Sequence, residues 1–156
     1  MKIEIILLII SAVIFISYIT TIALRFGIQK SISESYYDLR PEWKFVFTLT
    51  LWGFAIPIMI VGNSFLFFLA GGLICFVGAA AGFKDIAMTY KVHMVGAYGG
   101  VLLGFVGLIF DLNYYAMPLV AALAIIIMWF NCRFKIWWIE VLAFSTVWIG
   151  LLMSNI

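Results

Sequence analysis

Residues 45–82 read FVFTLTLWGFAIPIMIVGNSFLFFLAGGLICFVGAAAG and contain no charged side chain. A helix needs about 20 apolar residues to cross the hydrocarbon core of a bilayer, so this stretch is long enough for two crossings. Its only polar break is Asn63-Ser64, a pair whose side chains hydrogen-bond their own backbone where a helix must stop. The stretch therefore predicts two membrane-spanning helices, at about 45–62 and 65–82, joined as a tight hairpin.

The rest of the chain is also strongly apolar. Of its 156 residues, 67% are hydrophobic and 10% are charged, and the mean hydropathy is +1.22. A soluble domain carries roughly a quarter charged residues, so this composition excludes a soluble enzyme and a nucleic-acid binder that works through a basic surface. The apolar runs lack the alternation of a transmembrane β-barrel. We predict an all-α, polytopic integral membrane helix bundle, one domain over 1–156. The six predicted spans lie at about 3–24, 45–62, 65–82, 94–110, 115–130 and 136–153.

The basic residues predict an orientation. Eight of the nine fall in or beside the first-second, third-fourth and fifth-sixth connections, and only Lys2 falls on the other side. The eight are Arg25, Lys30, Arg40, Lys44, Lys84, Lys91, Arg133 and Lys135. The positive-inside rule places these connections in the cytoplasm and both termini outside an inner or plasma membrane. The first span is too long for a signal-peptide core, so we expect it to be retained.

The connection between the first two spans, RFGIQKSISESYYDLRPEWK at 25–44, contains the spacing of a capping box at Ser31 and Glu34. It predicts a short helix over about 32–39. Helical periodicity then puts Ser31, Glu34, Ser35 and Asp38 on one face and Ile32, Tyr36 and Leu39 on the other. We expect an amphipathic helix that lies on the membrane surface.

A candidate polar site follows from the acidic residues and the single histidine, all at the predicted cytoplasmic side: Glu34, Asp38, Asp85, His93 and Glu140. Histidine beside carboxylates can transfer protons or bind a metal. Glu140 lies about one turn inside the sixth span, where a carboxylate marks a functional site by default. Its expected partners are Lys135, Arg133 or His93. The alternative for each residue is structural: a solvated helix face, a surface histidine or a carboxylate that reaches the interface.

Small residues predict where helices pack most closely. Gly96, Gly100 and Gly104 recur every four residues, and Gly71 begins a similar stripe in the preceding span. Such stripes let helix backbones approach in lipid, so we expect a tight hairpin of the third and fourth spans or a contact between subunits. Cys75 and Cys132 lie at different depths and should not pair.

Three classes of function fit these residues; the first is the one that we expect, and the other two are its alternatives. The first is a small transporter or channel-like subunit that handles a small solute, a proton or a lipid headgroup at the polar site. The second is a membrane-embedded, lipid-modifying enzyme that uses a carboxylate and His93. The third is a structural or holin-like assembly protein. Membrane lipid is an expected partner, a homo-oligomer is possible and nucleic acid is not expected. The sequence specifies no cofactor: HExxH, P-loop, GxSxG and dinucleotide motifs are absent, and one histidine excludes a His-rich zinc site.

Overall fold

The computed structural model describes residues 2–156, and within them the chain is all-helical, with no β-strand. Residue 1 of the predicted 1–156 domain lies outside the described residues. The helices are α1 (Ile3–Phe26), α2 (Ser35–Asp38), α3 (Phe45–Gly62), α4 (Phe65–Ala79), α5 (Ala87–Phe110), α6 (Ala116–Asn131) and α7 (Lys135–Asn155), with a 3₁₀ turn at Pro41–Trp43.

Four segments are long and apolar enough to cross a membrane: Ile3–Phe26, Pro41–Gly62, Ala87–Phe110 and Lys135–Asn155. The helices α4 and α6 are also apolar but shorter, with 15 and 16 residues. The prediction of an all-helical chain of membrane-compatible composition is therefore confirmed.

Two helix boundaries differ from the prediction by more than two residues. The helix α5 begins at Ala87 rather than 94, so Lys91 and His93 belong to the helix and not to the loop before it. The helix α4 ends at Ala79 rather than 82. The polar residues indicated where the hydrocarbon core of the membrane should end. A helix can continue beyond that boundary because its backbone hydrogen bonds are internal. His93 consequently lies about 9 Å along α5, since each helical residue adds about 1.5 Å.

Helix α7 contacts α1, α3, α5 and α6, while α4 packs between α3 and α5. Phe15, Phe54 and Phe144 bring α1, α3 and α7 together, with ring centroids 4.8 to 5.5 Å apart. Aromatic pairs at such distances stabilise a core beyond the area they bury. These three buried rings hold the centre of the bundle.

Glycine sets the separation between neighbouring helices. A Cβ atom at Gly96 would lie 2.7 Å from the carbonyl oxygen of Leu73, and one at Gly100 would lie 3.1 Å from that of Ala70. These two glycines therefore permit the close approach of α5 to α4. Gly104 lies against Val147 of α7, and Gly71 lies against α3, where a Cβ would come within 2.9 Å of a backbone oxygen.

Side-chain contacts join chain segments at both ends of the bundle. At the first end, Ser64 donates to the carboxylate of Asp111 at 2.5 Å, and the Lys2 ammonium donates to the carbonyl of Asn155 at 2.9 Å. At the opposite end, Lys84 pairs with Glu34. Here the connection between α1 and α3 meets the connection between α4 and α5 and the start of α7. We call this second end the Ser33 end, after the residue at its centre.

Candidate functional site

The connection between α1 and α3 folds over the Ser33 end and does not lie flat along a surface. Gly27 has φ 79°, a left-handed conformation that turns the chain back directly after α1. Within the connection, Ile32, Ser33 and Ser35 are all buried. Because serines are buried together with an isoleucine, the segment must satisfy its polar groups through partners in the bundle.

The predicted helix over 32–39 is shorter in the structure. Ser31 does accept a hydrogen bond from the Glu34 amide at 3.2 Å, but regular helix covers only Ser35–Asp38. The Glu34 carboxylate pairs with Lys84 instead of returning to the cap. Ser35, expected on a solvated face, is fully buried. Interactions with other elements therefore override the local capping signal.

Ser33 and His93 form a buried hydrogen-bonded pair. The Nε2 atom of His93 lies 2.9 Å from the Ser33 hydroxyl oxygen, and its Nδ1 atom lies 3.1 Å from the carbonyl oxygen of Ala80. Because a carbonyl can only accept, we assign the proton of the neutral imidazole to Nδ1, which leaves Nε2 to accept from the Ser33 hydroxyl. The ring of Phe83 stacks on the imidazole with centroids 4.3 Å apart, which also fixes its plane.

Glu140 contacts the same connection from α7. Its Oε2 atom accepts a hydrogen bond from the amide of Ile32 at 2.6 Å. One turn earlier on α7, the amide of Trp137 donates to the carbonyl of Lys30 at 3.2 Å. The predicted partners Lys135, Arg133 and His93 are therefore wrong: the carboxylate, which is partly buried, binds a backbone amide because the connection folds inward over the start of α7.

A second serine of the connection is bound by α1. Ser35 donates its hydroxyl proton to the carbonyl of Ile32 at 2.5 Å, so its oxygen accepts from the phenol of Tyr18 at 2.6 Å. This chain of hydrogen bonds ties α1 to the residue that precedes Ser33. It satisfies the buried hydroxyl without exposing it to water.

The outer side of the connection carries cations and aromatic rings. The Lys84 amide donates to the phenol oxygen of Tyr37 at 2.6 Å, and the Lys84 ammonium lies 4.6 Å from the centre of the Tyr37 ring. Burial raises the pKa of the Tyr37 phenol above its ordinary value. The Lys44 ammonium lies over the Tyr36 ring at 4.6 Å.

The structure thus brings together three of the five predicted site residues. Glu34, His93 and Glu140 all contact or belong to the segment 31–35, but His93 binds the Ser33 hydroxyl, Glu140 binds the Ile32 amide and Glu34 pairs with Lys84 outside the segment. Asp38 and Asp85 are exposed, and within residues 2–156 neither takes part in a side-chain hydrogen bond or ion pair. The described residues contain no group of three potential metal ligands.

Ser33 is the residue that the sequence did not indicate. On a helical wheel it falls outside the polar face of Ser31, Glu34, Ser35 and Asp38, so periodicity gives it no role. Its partner His93 is 60 positions away in the sequence, and the two residues meet only because α5 packs under the connection. The one available signal was the single histidine of the chain, which lacked an identified partner.

Two cavities in the bundle are apolar. One, of about 20 Å³, lies among Phe54, Gly71, Gly100 and Phe144, and a groove of about 340 Å³ runs between α6 and α7 beside Ala121 and Thr146. Neither is lined by any of the five predicted polar residues. Transport through the polar site and assembly into a homo-oligomer both stay predictions.

Comparison with protein-family models, curated proteins and solved structures gives no match for this chain.

Proposed function

We propose that the chain crosses the membrane six times, with α4 and α6 as the two shorter spans. An even number of crossings agrees with the hydrogen bond between Lys2 and Asn155, which places the two ends of the chain side by side. The helix α4 is about 22 Å long, less than the roughly 30 Å of hydrocarbon, and its glycines let it pack between longer neighbours. The charge distribution puts the Ser33 end in the cytoplasm of an inner or plasma membrane.

Thiol labelling tests this topology. In a background in which Cys75 and Cys132 are replaced by alanine, we introduce one cysteine at Asn113 or at Asp85, both exposed. A membrane-impermeant maleimide should label position 113 in intact cells, and position 85 only after permeabilisation. Labelling of both positions in intact cells would contradict the six-span arrangement, and the opposite pattern would reverse the orientation.

We further propose that the protein is a membrane-embedded esterase in which Ser33 is the nucleophile and His93 the general base. The observation that carries this proposal is the orientation of the imidazole: Nδ1 is fixed by the Ala80 carbonyl, which leaves Nε2 to accept the Ser33 proton. A base held in one tautomer by a third group is the arrangement that activates serine nucleophiles.

The chemistry follows from these positions. As Ser33 Oγ attacks the carbonyl carbon of an ester, its proton passes to His93 Nε2, and the charged imidazolium keeps its hydrogen bond to Ala80. The tetrahedral intermediate then collapses, the bond to the alcohol oxygen breaks, and Nε2 gives its proton to the departing alcohol. Water attacks the acyl-serine with His93 again as base, which releases the acid and restores Ser33.

The position of the pair supports a lipid as substrate. Ser33 and His93 lie near the start of a long apolar helix, at the end of the bundle where the lysines and tyrosines gather. Basic and aromatic residues concentrate at the boundary between headgroups and acyl chains. Ser33 is 6% exposed, so the side chains around it must move aside for a lipid ester to enter while Ser33 stays in contact with His93.

Reaction with an alkyl fluorophosphonate tests the function. This reagent phosphonylates activated serines with loss of fluoride, so the folded protein in lipid vesicles should gain one adduct, located on Ser33 by peptide mass mapping. Detergent-denatured protein, in which His93 no longer contacts Ser33, should remain unmodified. The absence of an adduct on the folded protein, or an adduct on another residue alone, would contradict the proposal.

A further inference from the structure

We infer that Glu140 is a positioning residue for Ser33, because its carboxylate holds the amide of the residue directly before the nucleophile. This inference rests on the proposed esterase function. Glu140 does not contact the hydroxyl of Ser33, and its hydrogen bond is to the Ile32 amide at 2.6 Å. It therefore acts through the backbone and takes no part in proton transfer.

Ile32 is fixed at three points. Its amide is bound by Glu140, its carbonyl oxygen accepts the Ser35 hydroxyl at 2.5 Å, and its side chain is 2% exposed within the core. The carbonyl also accepts the Ser35 amide at 3.2 Å, which closes a turn around Ser33. With the preceding residue held in this way, the Ser33 hydroxyl lies 2.9 Å from His93 Nε2 on α5.

The choice of a carboxylate at position 140 needs an explanation, because an acidic side chain inside an apolar helix is costly. The amide of Ile32 points toward α7 rather than into water, and an unsatisfied amide in a buried position is also costly. The side-chain oxygen of Glu140 supplies the acceptor that this amide needs. Together with the bond from the Trp137 amide to Lys30, Glu140 makes the first two turns of α7 a clamp on the connection.

Two substitutions distinguish the hydrogen bond to the Ile32 amide from a general requirement for an acidic side chain at position 140. Glu140→Ala removes the acceptor, whereas Glu140→Gln retains an oxygen of similar reach that can accept from the Ile32 amide. A misplacement of a reacting group by about 1 Å can cost a hundredfold in rate. We therefore expect Glu140→Ala to slow phosphonylation of Ser33 by about 10 to 100-fold and Glu140→Gln to stay close to wild type.

Hydrogen exchange at the Ile32 amide provides a readout independent of any reaction. The amide should exchange faster in Glu140→Ala and remain protected in Glu140→Gln. Glu42→Ala, at an exposed carboxylate in the 3₁₀ turn before α3, is the matched control and should change neither the exchange nor the labelling rate. If Glu140→Ala does not fold, protection of Ile32 and normal labelling in Glu140→Gln still test the inference.

The outcomes distinguish this inference from the proposed function. If wild-type Ser33 is labelled but both Glu140 variants are slowed equally, or if Glu140→Ala labels at the wild-type rate, the positioning role is wrong and the esterase proposal stands. If folded wild-type protein gains no adduct on Ser33, both are overturned, and faster exchange at Ile32 in Glu140→Ala would then describe only a structural clamp.

Discussion

The Ser33→Ala variant should form no adduct with an alkyl fluorophosphonate, while Ser35→Ala should still form the adduct on Ser33, at a reduced rate because the Ser35 hydroxyl helps to hold Ile32. The two serines lie two positions apart in the same connection and both are buried. Only the Ser33 hydroxyl reaches His93 Nε2, at 2.9 Å, whereas the Ser35 hydroxyl binds Tyr18 and Ile32. Both variants remove a buried serine hydroxyl, but only Ser33→Ala removes the proposed nucleophile.

The His93→Gln variant tests His93 as the general base. Glutamine has polar atoms that can bind Ala80 and Ser33, but it cannot take up the Ser33 proton at neutral pH. General-base assistance contributes about 10² to 10⁴-fold, so labelling of Ser33 in His93→Gln should fall by at least about a hundredfold. For each variant, we would measure the labelling rate in vesicles and the thermal unfolding. A Ser33→Ala protein that still reacts would rule out Ser33 as the nucleophile.

The second large effect is on stability. Gly96→Val should destabilise the bundle by about 3 kcal/mol relative to Gly72→Val, because added volume in a packed contact forces backbone shifts. A Cβ at Gly96 would lie 2.7 Å from the Leu73 carbonyl, whereas a Cβ at Gly72 would meet no atom within 4 Å. Both glycines are helical, so the intrinsic helix propensity of the new residue is the same in the two variants.

Reversible unfolding in mixed micelles measures this difference. Equal losses at positions 72 and 96 would show that the α4–α5 contact is not closely packed. Gly96 also lies one turn after His93 on α5, so separation of the two helices should weaken the bond from His93 to Ala80, which follows the end of α4. We therefore expect Gly96→Val to slow labelling of Ser33 as well.

The helical class was predictable because a bilayer requires backbone groups to pair within each segment, and apolar runs such as 45–62 satisfy that condition. The bounds of α3 agree with the predicted range at both ends. The start of α5 was not predictable from charge, since Lys91 and His93 lie on a helix that extends beyond the apolar run. Charged residues indicate how deep a segment lies in the membrane. The residue at which a helix ends depends on backbone geometry, such as the extended conformation of Ile86.

The candidate site was predictable only in part. Sequence pointed to His93 and Glu140 because each is an unusual residue in an apolar chain, and both are bound to the connection between α1 and α3. Their partners, the Ser33 hydroxyl and the Ile32 amide, carried no signal. A serine among several serines is ordinary, and a backbone amide is common to every residue except proline. Tertiary folding of the connection creates these contacts, which local periodicity cannot describe.

The direction of the Ser33–His93 hydrogen bond is the central claim, and nitrogen-15 NMR of the imidazole measures it directly. His93 is the single histidine of the chain, so its two ring nitrogens can be observed without ambiguity after histidine labelling. With the ring neutral, we expect a one-bond coupling to hydrogen at Nδ1 and none at Nε2, and a change in the Nε2 shift in Ser33→Ala. A proton on Nε2 would mean that His93 donates to Ser33, and would contradict its assignment as the base.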